Sequence, residues 1–249
     1  MKLSSKKLAA ALAFTLASTM VFGSAMGVLA ADMDVSESDN KITFQSGGGE
    51  PTDPIDPEKP EKEIDPDEKE KPTGNTGDLR LDVVPVFDFG TEKITTGAKS
   101  YNALLPTESG TEIPYYAQVT DFRGTGEGWS LYAKMTSQFS DGTHTLNGAA
   151  IALSNVAADA DATVGTTAPG TTFNGALEYD AVSGGTLIKL ASAAVNEGMG
   201  TSAVRFGDTA RYGSTLTADK SVSLTIPAAT LIYANEYKAT IQWTLAATP

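Results

Sequence analysis

The sequence predicts an all-β protein, either an antiparallel β-sandwich or a jelly-roll-like barrel, and two observations support this. Residues 237–245 alternate strictly between apolar residues at odd positions and polar residues at even positions. This period of two is typical of a strand with one buried and one solvated face. About eight strand-like segments, separated by turns rich in Gly, Asn, Asp and Thr, follow one another without a capped amphipathic helix between them.

Residues 1–30 are typical of a secretory signal peptide. Lys2, Lys6 and Lys7 precede an apolar run, and Val28 to Ala30 form a small-residue cleavage site. A retained membrane anchor is the alternative, which the many Ala, Ser, Thr and Gly residues of the run disfavour. Cleavage would remove three of the 18 basic residues and no acidic one, leaving 15 basic and 31 acidic residues. A chain this acidic is repelled by nucleic acid and by anionic surfaces.

Residues 31–49 are polar and acidic and contain one candidate strand, residues 41–45. This piece either adds to a sheet of the main domain or stays mobile. Three glycines, at 47 to 49, then end regular structure. The chain has no cysteine, so we expect an exported protein stabilised by packing alone.

Residues 50–76 are dominated by Pro, Glu, Asp and Lys. The six prolines between residues 51 and 72 are all separated by multiples of three, the period of a polyproline II helix. We therefore predict a disordered, semi-rigid and extended linker. A docking peptide for an aromatic groove is the alternative, and the absence of Arg or aromatic residues beside the prolines disfavours it.

Residues 77–249 contain the predicted strands. Pro85 should place the first of them at an edge or a bulge. The segments are 81–89, 115–122, 129–135, 149–156, 186–190, 203–206, 221–226 and 238–245.

The two tryptophans of the chain occur in the same frame, Trp129 with Leu131 and Trp243 with Leu245. Two such strands are expected to meet in one sheet or sandwich. Each Trp shares its parity with apolar neighbours, which favours burial in the core over a platform for sugar rings. A mostly buried indole can still present one edge, so the two interpretations overlap.

A proximal Gly-Trp-x-Leu and a distal Tyr-x5-Trp-x-Leu that begins at Tyr237 resemble the WxL-domain family of Gram-positive bacterial surface proteins. Segments 79–90, 116–124 and 222–227 are similar to the same family, so the resemblance covers residues 77–249. It implies a secreted protein that attaches to the cell wall without a covalent bond by binding peptidoglycan. The residues that it implies for this contact are Trp129, Leu131, Tyr237, Trp243 and Leu245.

The resemblance also implies a surface complex with other WxL-type proteins and a membrane-anchored partner, used on host extracellular matrix or on plant polysaccharide. The alternative function is therefore a protein-interaction subunit whose main contact is a partner surface protein. The chain shows no Leu-Pro-x-Thr-Gly sorting motif, so we expect no sortase attachment. Teichoic acid phosphates would repel so acidic a chain, and bulk charge therefore does not explain retention.

A glycine-rich loop before Trp129 carries Asp121, Arg123 and Glu127. These side chains are candidates for hydrogen bonds to a glycan. Two carboxylates are also what a glycosidase needs, but nothing in the sequence indicates the buried cleft that catalysis requires. We interpret the loop as a glycine turn braced by an Asp121–Arg123 contact and assign no catalytic residue.

No metal or cofactor is expected. His144 is the single histidine, and without cysteine the ordinary zinc sites are excluded. Asp159 and Asp161 resemble the start of a calcium loop whose glycine and closing glutamate are missing, so a solvated turn is favoured. A catalytic triad would have to use His144, which has no nucleophile motif beside it.

Overall fold

The computed structural model describes residues 37–66 and 70–247, and the predicted signal peptide lies outside these ranges. The compact unit that holds all the strands begins at Phe44, and residues 37–43 form neither strand nor helix. The strands are β1 (Ile55–Asp56), β2 (Lys59–Glu63), β3 (Glu70–Pro72), β4 (Leu79–Pro85), β5 (Lys99–Asn102), β6 (Thr107–Glu108), β7 (Thr111–Glu112), β8 (Tyr116–Asp121), β9 (Trp129–Ser140), β10 (Ala150–Leu153), β11 (Val156–Ala160), β12 (Gly170–Thr171), β13 (Gly175–Asp180), β14 (Gly184–Gly185), β15 (Ile188–Ala193), β16 (Gly200–Phe206), β17 (Val222–Ile226) and β18 (Lys238–Ala246). Two short 3-10 helices, Ala210–Tyr212 and Ala218–Lys220, precede β17.

The strands form three larger antiparallel sheets, which confirms the all-β prediction. Their strand orders are β11-β16-β8-β4-β3, β14-β13-β10-β17-β5 and β12-β15-β9-β18. Two hairpins, β1-β2 and β6-β7, complete the architecture of the described residues. Within the same residues no helix is long and apolar enough to span a bilayer.

The four-stranded sheet β12-β15-β9-β18 supplies residues to both main cores. At the Trp129 end of β9, Trp129 and Leu131 pack with Val119 and Val204 of the β8-β16 sheet. Farther along β9, Met135 and Phe139 join a second core built largely from β10, β13 and β17. The long strand β9 therefore crosses from one packing layer to the other, and its inward side chains tie both layers together.

Every strand predicted within residues 77–249 overlaps an observed one, and the differences there are local. Residues 149–156 were expected as one strand, but they are divided between β10 and β11. Asn155 lies between them with a φ of 50°. This left-handed conformation breaks the extended backbone. Residues 41–45 form no strand, and the side chains of Ile42 and Phe44 are exposed.

The segment predicted as a free linker is packed against the domain instead. We call residues 47–66 the N-terminal strap. Ile55 is 4% exposed and contributes to a third core with Val83 and Tyr116. The side-chain amide of Gln118 accepts a hydrogen bond from the Ile55 N–H at 3.0 Å and donates one to the Asp53 carbonyl at 3.0 Å.

Acidic residues of the strap form hydrogen bonds and an ion pair with the rest of the domain, although we expected charge repulsion to keep this segment extended. Buried Asp56 accepts a 2.5 Å hydrogen bond from the Tyr212 hydroxyl and lies 3.4 Å from Arg211. Glu58 accepts hydrogen bonds from the backbone and side chain of Thr209 at 2.9 and 2.5 Å. The strap packs on the domain because Ile55 covers apolar side chains on one face of the sheet that contains β8. The proline spacing of three gives no indication of this packing.

Glycine is required at the start of the strap for steric reasons. Gly47 donates a 3.1 Å hydrogen bond to the Phe122 carbonyl, and Gly49 bridges to Gly77. A Cβ on Gly48 would lie 2.5 Å from the Asp78 Cα. The triple glycine therefore permits a close backbone approach and does not only end structure.

Candidate wall-binding site

The two Trp-x-Leu motifs lie on neighbouring antiparallel strands, as the sequence predicted. Leu245 of β18 is paired with Leu131 of β9, and Trp243 is paired with Ala133. The alternation of β18 points its odd residues toward the core and leaves Lys238, Thr240 and Gln242 exposed.

Trp129 is a core residue. Its side chain is 0% exposed, as is that of Leu131. The indole N–H donates a 3.0 Å hydrogen bond to the Gly198 carbonyl, which satisfies its one polar atom inside the core. A Cβ at Gly198 would lie 2.8 Å from the indole nitrogen, so a glycine admits this contact. Trp129 and Leu131 have no exposed surface, which favours the core interpretation over direct contact with a ligand.

Trp243 is half-buried and reaches the surface. Toward the core its ring contacts Phe87 and Phe206, with ring centroids 6.5 and 6.4 Å away. Trp243 and Leu245 also line a cleft of about 720 Å³. The distal motif therefore combines a core role with an accessible edge.

Arg123 brings the glycine-rich loop to this cleft. Its guanidinium binds the buried Asp121 carboxylate through Nε at 2.9 Å and Nη2 at 2.7 Å, and Nη2 also donates to the Gly128 carbonyl at 2.7 Å. The predicted Asp121–Arg123 brace is thus present, although Asp121 is more buried than expected. The hydrogen bonds with Asp121 raise the pKa of Arg123 above its ordinary value, so its positive charge is secure.

The free side of this guanidinium faces the cleft. Arg123 Nη1 makes only long contacts, 3.4 Å to the exposed Glu127 carboxylate and 3.4 Å to the Ala247 carbonyl. Both oxygens of Asp121 already accept hydrogen bonds from Arg123. Asp121 is therefore placed to orient the arginine, not to act on a substrate.

Sequence reasoning missed the opposite wall of the cleft, because it assigned that segment to the linker. Asn75 and Thr76 line the cleft, with Leu79, Arg80 and Leu81 of β4 beneath them. The Asn75 amide donates a 3.0 Å hydrogen bond to the Leu81 carbonyl, which holds the turn over the strand. The Gly-Asn-Thr-Gly run at 74–77 is a turn signal that marks this position.

Tyr237 lies at the other end of β18. It packs on the second core, and its hydroxyl accepts a 3.0 Å hydrogen bond from the Tyr233 N–H. Trp243 lies six positions farther along the chain, about 20 Å away at 3.3 Å per residue. The structure therefore does not bring Tyr237 to the cleft.

A smaller cleft of about 460 Å³ lies near that far end, lined by His144, Thr230 and Tyr233 among others. The His144 and Tyr233 rings stack with centroids 3.8 Å apart, and Asp141 contacts His144 Nδ1 at 2.9 Å. Hydrogen bonds from His144 and Asn235 hold the pKa of Asp141 well below its ordinary value. This cluster fastens the 227–237 loop to the turn after β9.

The remaining candidate acids have local partners. Asp159 accepts a 2.6 Å hydrogen bond from Arg205, and Asp161 accepts two from Thr163. Across residues 37–66 and 70–247, no group of three or more His, Asp or Glu side chains is arranged to hold a metal ion.

A comparison with protein families gives a match over residues 31–249 to the family described as WxL domain, surface cell wall-binding. The chain belongs to the WxL domain family. No curated protein and no solved structure gave a significant match. The match begins well before residue 77, in agreement with a strap that is part of the fold.

The WxL assignment settles the general location and activity. The protein is a cell-surface, cell wall-associated binding protein of a family defined by binding and not by catalysis. Of the residues singled out from the sequence, the cleft unites Trp243, Leu245 and Arg123, with Asp121 and Glu127 bound to that arginine.

Proposed function

We propose that this WxL domain binds peptidoglycan in the cleft between the end of β18 and the 74–76 turn. The observation that carries the proposal is that one cleft collects the distal Trp-x-Leu, the free edge of Arg123 and the polar turn at Asn75. A mixed apolar and polar cleft suits a ligand with both sugar faces and amide groups.

The contacts divide into two kinds. Trp243 and Leu245 offer apolar surface, and because Phe87 and Phe206 contact the indole from the core side, a ligand meets its outer edge. Arg123 Nη1 offers a charged donor whose present contacts are long. The wall presents many copies of its repeating unit at high local density, so a protein that dissociates from one copy meets another at once.

The test is co-sedimentation of the signal-free chain with purified, protein-free sacculi stripped of other polymers. Ala247→Trp would fill the cleft from its exposed rim, and we expect sedimentation to fall by about tenfold, or about 1.4 kcal/mol. Ala181→Trp is the matched control, because Ala181 is also exposed but lies in the turn after β13. Equal binding by both variants would refute the cleft.

A second candidate function follows from the free edge of β18. Among the described residues this nine-residue strand is the last in its sheet, and an unpaired edge is suited to strand addition by a partner protein. The partners implied by the resemblance belong here: other WxL-type surface proteins, a membrane-anchored protein and host extracellular matrix. Binding to protein-bearing walls that disappears when the walls are treated with protease would favour this function over peptidoglycan binding.

A further inference from the structure

The four-stranded sheet that carries both motifs has a charge opposite to that of the whole protein. Strands β9, β12, β15 and β18 contain three lysines, Lys134, Lys189 and Lys238, and no Asp, Glu or Arg. The chain as a whole has 31 acidic residues against 18 basic ones. Acidic side chains are therefore concentrated elsewhere.

The strand registers place these lysines on the outer face of the sheet. Gln242 is paired with Lys134, and Lys189 is paired with Tyr132, so each pair shares one face. Lys189 Nζ lies 5.6 Å from the centroid of the Tyr132 ring, which confirms the shared side. We call this surface the lysine face; its residues are Tyr132, Lys134, Lys189, Lys238, Thr240 and Gln242.

Two of the three ammonium groups have no carboxylate partner among the described residues. Within the described residues, no ion pair involves Lys134 or Lys189, whereas exposed Lys238 lies 3.1 Å from Glu236. By contrast, Arg123 and Arg205 are bound to carboxylates. The Cα atoms of Lys134 and Lys189 are about 8 Å apart, since they are one strand and two residues apart.

We propose that the lysine face docks a polyol phosphate chain, the chemistry of the teichoic acids that accompany peptidoglycan. Charge complementarity carries the assignment, because a sheet whose strands contain lysines and no acidic residue is the part of this chain that an anionic polymer approaches at least cost. An ammonium group binds phosphate as a point charge and does not need the fixed planar geometry with which Arg binds carboxylate or phosphate. Thr240 and Gln242 add donors and acceptors for polyol hydroxyls.

The lysine face and the cleft are separate surfaces of one sheet. Trp243 points inward and reaches the cleft, while Gln242 and Thr240 of the same strand point outward. The docking surface does not depend on the peptidoglycan proposal, and the two can fail independently. It also modifies the expectation from bulk charge, because repulsion of the whole chain is compatible with attraction at one face.

The experiment compares walls that retain their phosphodiester polymers with walls stripped by hydrofluoric acid, using the signal-free chain. The variant is Lys134→Gln with Lys189→Gln. Its matched control is Lys93→Gln with Lys220→Gln, which removes the same charge from exposed positions outside the sheet. Thermal unfolding verifies that each variant is folded.

We expect wild-type protein to bind polymer-bearing walls more tightly than stripped walls at low salt. The paired lysine variant should lose about 3–10-fold on polymer-bearing walls and nothing on stripped walls, while the control keeps wild-type binding. The difference in wild-type binding between polymer-bearing and stripped walls should vanish at ~0.5 M salt, where charges are screened within about 4 Å. Equal wild-type binding to both walls, or equal competition by polygalacturonate and by soluble glycerol phosphate polymer, would overturn the proposal.

Discussion

Replacing Trp129 separates a structural role from a binding role. In Trp129→Phe, the buried Gly198 carbonyl loses its donor, at a cost of about 1–3 kcal/mol. The missing ring atoms remove about 1.5 kcal/mol of burial, at ~0.8 kcal/mol per CH2 equivalent. A total near 3 kcal/mol should lower the melting temperature by about 6–12 °C in a domain of this size.

The companion variant is Trp243→Phe, at a half-buried site that lines the cleft. We expect it to cost less than about 1.5 kcal/mol, because the ring is only partly buried and its indole N–H has no hydrogen bond to lose within the described residues. Sedimentation with stripped sacculi should fall several-fold for Trp243→Phe, and stay at the wild-type level for folded Trp129→Phe.

Thermal unfolding by circular dichroism and sedimentation below the melting temperature measure the two effects separately. If Trp129→Phe melted like the wild type but no longer sedimented, the buried indole would be a ligand contact and the core assignment would be refuted. If both variants lost stability and binding in proportion, the cleft would have no role distinct from folding.

Three further predictions concern the strap and the far loop. Deleting residues 31–66 should lower stability by more than about 3 kcal/mol, since Ile55 is buried and Gln118 loses two hydrogen bonds; an unchanged denaturation midpoint would restore the free-linker interpretation. Gly48→Ala should detach the start of the strap, because its Cβ would meet the Asp78 backbone, and hydrogen exchange at the Gly47 amide should accelerate while that at Val119 does not. The folded pKa of Asp141 is lowered, so the stabilisation that Asp141 contributes is full above about pH 4, the ordinary carboxyl value, and is lost as pH falls through the folded pKa. The His144–Tyr233 stack, followed by NMR, should therefore loosen at low pH, and in Asp141→Asn at neutral pH. A stack that responds to neither change would contradict the role of Asp141.

The local sequence pattern was sufficient to predict the strands and to predict which side of each Trp-x-Leu strand faces the core. The alternation in residues 237–245 and the parity of Trp129 depend on neighbours in sequence, and burial on one side of a pleated strand follows directly from them. The brace between Asp121 and Arg123 was also accessible, because the two residues are only two positions apart.

The strap and the cleft required distant parts of the chain to meet. The proline period of residues 50–72 is compatible with an extended helix, and no local signal shows that Gln118, more than sixty residues later, needs Ile55 and Asp53 as partners. The cleft joins the 74–76 turn to Trp243, and the lysine face joins Lys134 to Lys189.

The sequence alone determined that this chain is a β protein with paired Trp-x-Leu strands, because period, turns and motif are properties of short stretches. Only the tertiary structure decided which tryptophan reaches solvent, which acidic residues lie inside the fold, and where positive charge gathers on an acidic protein. The physical reason is that burial and electrostatic partnership are set by strand pairing and sheet packing between residues far apart in the chain.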